Sequence, residues 1–201
     1  DGYAQDMAAH LSDVLNHLLD GRGAIAEYID PTRVAAIGHS LGGAASLNAC
    51  LADPRIKACV DMDGAVQNPV AAEGITTSAL VLLSHPDYTD EELTKRGRDP
   101  VKWRAHGGKY LAMIAKLVSV PGPDAWIVSV EKTGHLSFSD APYTMQTTLT
   151  RFGGTYLDPR RALELPGRVI EGYLQHVFSK APFSPEQLPD VTAVAVRPPR
   201  T

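Results

Sequence analysis

Ser40 stands in Gly38-His39-Ser40-Leu41-Gly42-Gly43, directly behind the run Arg33-Val34-Ala35-Ala36-Ile37 and ahead of the helix-prone residues 44–51. A strand, then Gly-x-Ser-x-Gly, then a helix reads as a nucleophile elbow. A turn this sharp forces the serine into a strained backbone conformation, so its two flanking glycines are expected to be there because they are small. The gain is a hydroxyl lifted clear of the sheet, beside the positive end of the following helix. A bare Gly-x-Ser-x-Gly arises by chance in many chains, and here the flanking strand and helix patterns give it weight.

The rest of the chain fits an enzyme domain better than a nucleic-acid or membrane protein. Its 201 residues suffice for one domain with a sizeable core, and 44% hydrophobic with 21% charged residues is a globular balance. A net charge of −4 leaves no basic footprint for nucleic acid or an anionic membrane. No stretch has the length of a transmembrane helix, and none reads as a signal peptide. Cys50 falls on an expected helix and Cys59 on an expected strand, which favours two buried thiols over a disulfide or a metal site. Neither cysteine fixes a compartment, so localisation stays open.

Met7, Leu11, Val14, Leu15, Leu18 and Leu19 follow helical spacing and predict an amphipathic helix near the start of the sequence. Asp30-Pro31 then turns the chain into the nucleophile strand. Beyond the elbow, strands are expected at 57–62, 79–83 and 126–130, with a helix around 109–118 and closing helices at 161–163 and 167–178. The alternation predicts an α/β domain, a mostly parallel sheet covered by helices on both faces. Residues 1–180 are assigned to that domain, with 88–123 a candidate lid or insertion. Residues 181–201 read as an extended Pro-rich tail that holds at most one edge strand, at 191–196.

A serine hydroxyl needs a histidine to take its proton, and the histidine needs a carboxylate to fix its tautomer. Behind an elbow of this kind those partners follow in the order Ser, Asp or Glu, His. His135 is the strongest base candidate: it follows a strand, comes after a flexible Gly134, and lies near the sheet's carboxyl edge. His85 trails a strand too, but early in the order and stiffened by Pro86, whereas His106 beside Gly107-Gly108 reads as a surface loop. For the acid, Asp63 and Asp87 each follow a strand, and the residues alone do not separate them. Asp61 shares a face with Asp63 but falls inside the strand, where an unpaired carboxylate is costly.

Asp30-Pro31-Thr32-Arg33 leading into Gly38-His39-Ser40-Leu41-Gly42-Gly43-Ala44, then Met62-Asp63-Gly64, then Gly134-His135-Leu136-Ser137-Phe138-Ser139-Asp140 form a pattern. It resembles bacterial serine esterases of the α/β-hydrolase superfamily, those related to platelet-activating factor acetylhydrolase (plasma and type II) and dienelactone-hydrolase-like proteins. Arg161-Ala162-Leu163-Glu164 before a final helix is similar as well, and the likeness runs from about residue 5 to 190. The resemblance implies an α/β-hydrolase fold of which this chain holds the C-terminal part, from the nucleophile strand onward. It implies Asp63 as the acid, with Asp87 the alternative, and a histidine followed three residues later by phenylalanine, matched by His135 and Phe138. The segment 89–123 is longer than the matching connection in the mammalian members.

These readings converge on a carboxylic ester hydrolase with Ser40, His135 and Asp63 as its triad and the Leu41 N–H as an oxyanion donor. Amide hydrolysis or acyl transfer would use the same residues, and a non-catalytic or epimerising scaffold is the alternative of another class. His39, Ala65, Val66, Trp103, Leu136 and Phe138 are candidates for lining an apolar pocket for a small or lipid-like ester. No cofactor or metal is expected, since the histidines lack ligand spacing and the mechanism needs none. An elbow of this type takes its second oxyanion N–H from a loop after an early strand, and only one helix precedes the elbow here. The expected partner is therefore the N-terminal half of the same hydrolase, as a separate chain or as residues outside this numbering.

Overall fold

The computed structural model describes residues 2–21, 25–86, 88–144 and 157–197. Helix α1 (Gly2–Leu19) precedes strand β1 (Val34–His39), α2 (Leu41–Ala52), β2 (Ile56–Met62) and the short α3 (Val70–Glu73). Strand β3 (Ser78–His85), α4 (Asp90–Lys95), α5 (Pro100–Leu117) and β4 (Ala125–Glu131) follow. The chain closes through a 3-10 turn (His135–Phe138), α6 (Ala141–Thr144), α7 (Pro159–Ser179) and β5 (Val191–Arg197). The sheet order is β1-β2-β3-β4-β5; the first four strands are parallel and β5 runs antiparallel to β4. All four parallel strands therefore point their carboxyl ends at one edge, where the elbow opens.

Alternation along β3 shows why the central strands read as unbroken apolar runs. Ala79, Val81 and Leu83 join one core layer, beneath α1, α2, α3 and α5, through Ala8, Leu15, Leu47, Val70, Ile114 and Leu117. Leu80 and Leu82 face the opposite layer with Val60, Val128 and Val130, covered by Leu165, Val169 and Tyr173 of α7. A strand buried on both faces has no polar side to alternate with.

Several elements depart from the sequence reading. The apolar spacing in α1 is real, but the helix buries the narrow face of Ala4, Ala8 and Leu15 and leaves Met7, Leu11 and Val14 exposed. Ala4 and Ala8 let α1 approach α2 closely, and of the larger apolar residues Met7, Leu11 and Val14 are turned outward while Leu15 enters the core. The two closing helices are one, running through Pro166. Ala162, Leu165, Val169 and Tyr173 make a continuous buried stripe across the proline, and that burial outweighs a helix-interior proline penalty of about 3 kcal/mol. Cys50 and Cys59 are joined as a disulfide between α2 and β2, with Cα atoms 6.3 Å apart, in place of the expected pair of thiols. Their elements pack side by side, a proximity that the sequence spacing does not reveal.

The segment 88–123 supplies a structural helix, since Ile114 and Leu117 of α5 are buried in the core. Within 181–201, β5 pairs with β4, and Arg197 reaches back to donate to the carbonyls of Ile75, Val120, Thr77 and Pro123.

Candidate active site

Ser40 sits between β1 and α2 at φ 57 and ψ −124, a backbone conformation an L-residue reaches only under strain. Its N–H donates to the Met62 carbonyl at 2.9 Å, and its own carbonyl accepts from Gly43 and Ala44 N–H. The strained residue is thus held by β2 on one side and α2 on the other. At Gly38 an added Cβ would run into the backbone of Gly42 and lie 2.7 Å from Gly43 N. At Gly42 the same atom would meet nothing within 4 Å. The expectation that both flanking glycines are required by space therefore holds at Gly38 and fails at Gly42. Gly43 takes the second role, because its Cβ would overlap the carboxyl of Asp61. As the first residue of α2, Leu41 offers an N–H with no acceptor inside the helix.

Asp63 follows β2 at φ 55, a second strained non-glycine residue. Its N–H donates to Leu82 O at 2.7 Å. Ser84 holds the carboxylate: its N–H donates to Oδ1 at 2.8 Å and its hydroxyl to Oδ2 at 2.9 Å. Oδ2 also lies 2.8 Å from His135 Nδ1. An ionised carboxylate only accepts, so Nδ1 carries the proton, and Nε2 is left to accept from the Ser40 hydroxyl 3.0 Å away. The Asp63 side chain is mostly buried, at 16% exposure, whereas the His135 ring is 48% exposed.

The turn that carries His135 is tied down, although Gly134 reads as a flexible position in the sequence. Gly134 N–H donates to Ser137 Oγ at 3.0 Å, and Ser137 N–H returns to Gly134 O at 2.8 Å. Thr133, fully buried, donates to Val130 O at 2.6 Å. His39 adds a clasp from the elbow itself, with Nε2–H donating to the His135 carbonyl at 2.8 Å.

Of the other histidines, His85 pairs through Nδ1 with Glu131 Oε2, and His106 lies exposed on α5. Asp87, the alternative acid, lies outside the described residues. Among the pocket candidates, Leu136 and Trp103 are each about 40% exposed, as is the oxyanion candidate Leu41, and Ala65 is exposed too. Val66 packs against the first core layer, and Phe138 is buried in the second, its ring 6.2 Å from that of His39. Trp103 meets Tyr88 edge to face, 6.2 Å between centroids.

The sequence reading missed Ser84, which looked only like the end of a strand, and the clasp made by His39. A serine at the carboxyl end of the strand next to Asp63 is the signal that could have found the first. Tyr110 of α5 is close enough to Asp61 and Asp63 that burial, then those two carboxylates, push its phenol up to about 12.

No protein-family model and no curated protein matches the chain. Among solved structures, it is similar to a ferulic acid esterase from Streptomyces cinnamoneus, with a TM-score of 0.71 and 21% identity. That match covers 96% of this chain and 55% of the esterase, so the chain spans about half the length of the structure it resembles. With four parallel strands, helices on both faces and a strand-turn-helix at Ser40, the chain has the α/β-hydrolase fold.

Proposed function

We propose that this chain is a carboxylic ester hydrolase whose catalytic groups are Ser40, His135 and Asp63. The observation that carries the reading is the continuous hydrogen-bond path from Asp63 Oδ2 through His135 to Ser40 Oγ, with contacts of 2.8 and 3.0 Å. The shared fold with a protein named as an esterase points the same way.

Ser40 Oγ attacks the acyl carbon while His135 Nε2 takes its proton. The oxygen that gains the negative charge faces the Leu41 N–H and the positive end of α2. Collapse of that intermediate breaks the ester C–O bond. The departing alcohol takes the proton from Nε2, and the acyl group stays on Oγ. Water then attacks the acyl carbon, giving its proton to Nε2; the second collapse frees the acid and returns that proton to Ser40. Asp63 remains ionised and holds the ring in the one tautomer that can accept. The half-exposed His135 ring leaves room for water to reach Nε2 in the second step.

The test is the pair Ser40→Ala and His135→Ala, singly and together, against a p-nitrophenyl ester. Each single change should lower kcat by on the order of 10⁴- to 10⁶-fold, with the double change little worse than either. Hydrolysis that survives Ser40→Ala, or losses that add, would overturn the reading.

We also propose that a strand-bearing segment of the same hydrolase, as a separate chain or as residues outside this numbering, pairs with the outer edge of β1 and brings the second oxyanion N–H. Among the described residues β1 is a sheet edge, and its Ile37 side chain is 46% exposed. Tyr3, Met7, Leu11 and Val14 line an exposed apolar stripe on α1. A bare edge beside uncovered apolar surface is a pairing site. A structure of the protein with that segment should have a strand on β1; an unpaired β1 in a fully active enzyme would overturn this.

A further inference from the structure

We propose that Asp61 is a positioning residue for Ser40 and Asp63: its carboxyl, wedged between Gly43 and Gly64, sets where both stand. The inference rests on the roles assigned above to Ser40, His135 and Asp63.

Asp61 lies in β2, in register with Gly38 of β1 and Val81 of β3, and is fully buried. Its Oδ1 accepts from Gly64 N–H at 2.8 Å. A Cβ added at Gly43 would overlap Oδ1 and lie 2.8 Å from Cγ. One added at Gly64 would overlap Oδ1 as well, and would come within 2.5 Å of Ser40 O and 2.9 Å of Ala44 N. The carboxyl thus fills the space where the start of α2, the Ser40 backbone and the turn after Asp63 converge.

Each contact leads to a functional residue. Gly43 donates to Ser40 O, so a shift at Gly43 moves the strained serine. Asp63, also strained, is pinned on one side by its N–H on Leu82 O and on the other by Gly64, which Asp61 holds. Among the described residues, Asp61 Oδ1 is the acceptor that fixes the Gly64 N–H.

The choice of residue is costly, which argues against mere filling. Oδ2 of Asp61 has no hydrogen-bond partner among the described residues, and a buried unpaired oxygen destabilises where valine or alanine would not. Burial, with the nearby Asp63 adding to it and the Gly64 N–H opposing it, pushes the Asp61 carboxyl up to about 7. Asp63 from the turn after β2 and Tyr110 from α5 are the ionisable groups that face it; Leu41–Ala52 of α2 carries none, and its sheet neighbours are Gly38 and Val81. A neutral Asp61 leaves the positive end of α2 free to meet an oxyanion, whereas an ionised one places a negative charge behind it.

The experiment compares Asp61→Asn, Asp61→Ala, Gly43→Ala and the double Asp61→Ala/Gly43→Ala in the full chain. It reads kcat, KM, and the rate at which a fluorophosphonate labels Ser40. Asp61→Ala should lower kcat and the labelling rate at least ten-fold with KM nearly constant. Asp61→Asn, which keeps the shape and the acceptor for Gly64, should recover most of that loss and retain activity above pH 7 where the parent declines. Gly43→Ala should be impaired, and removing the carboxyl in the double variant should restore it several-fold. Parent-like rates in Asp61→Ala, or a parent-like pH profile in Asp61→Asn should Asp61→Ala not fold, would overturn the inference alone. A parent that neither hydrolyses esters nor labels at Ser40 would remove the underlying reading, and the inference with it.

Discussion

The ring of His39 lies 4.7 Å from the ring of His135, and His39 Nε2–H donates to the His135 carbonyl. The residue before the proposed nucleophile thus grips the backbone of the residue proposed as its base. Ser40 and His135 are registered to each other through the elbow itself, independently of the bond between them.

His39→Ala should therefore loosen the base without touching the reacting atoms. The expected loss is about 10- to 100-fold in kcat, with KM changed less than about two-fold, because small displacements of a catalytic group are costly. Steady-state kinetics on a p-nitrophenyl ester checks it. A rise in KM at constant kcat would place His39 in substrate binding instead.

Asp63→Asn should be more damaging than its size suggests. The amide oxygen must stay on the Ser84 N–H, which leaves the amide NH₂ facing His135 Nδ1. His135 would then carry its proton on Nε2, where it cannot accept from Ser40. The expected drop in kcat is on the order of 10⁴-fold, with the fold intact by circular dichroism. Parent-like activity would take the acid role away from Asp63.

Asp61 should leave a signature in stability. Its folded-state pKa is raised to about 7 from the ordinary 3.8, so between those values the folded protein holds a proton that the unfolded chain has released. Stability contributed by this group is present below about pH 4, declines as pH rises toward 7, and is flat above. The slope approaches about 1.4 kcal/mol per pH unit within that window. Asp61→Asn should abolish this component of the pH dependence in denaturant melts. An unchanged slope in the variant would mean that Asp61 titrates normally.

Much of this was legible because the chain changes period sharply at Ser40. An apolar strand run, a Gly-x-Ser-x-Gly turn and an alanine-rich helix each carry a local signal, and each formed as expected at β1, the elbow and α2. What remained illegible was set by contacts distant in sequence. Asp63 and Asp87 both follow strands, and only Ser84, brought beside Asp63 by the β2–β3 pairing, distinguishes the surroundings of Asp63. Gly42 and Gly43 look alike in the sequence, yet only Gly43 faces a carboxyl from the strand beneath. Pro166 reads as a break until the face it interrupts is seen against the sheet. Cys50 and Cys59 read as separate thiols until α2 lies on β2.

The proposed roles of Ser40 as nucleophile and His135 as its activating base are tested by the site and rate of covalent labelling by a fluorophosphonate, read by peptide mass spectrometry on the full chain. One phosphonyl group per chain is expected, on the peptide that contains Ser40, absent in Ser40→Ala and slowed at least a hundred-fold in His135→Ala. Labelling at another residue, or labelling of Ser40 at the same rate without His135, would contradict it.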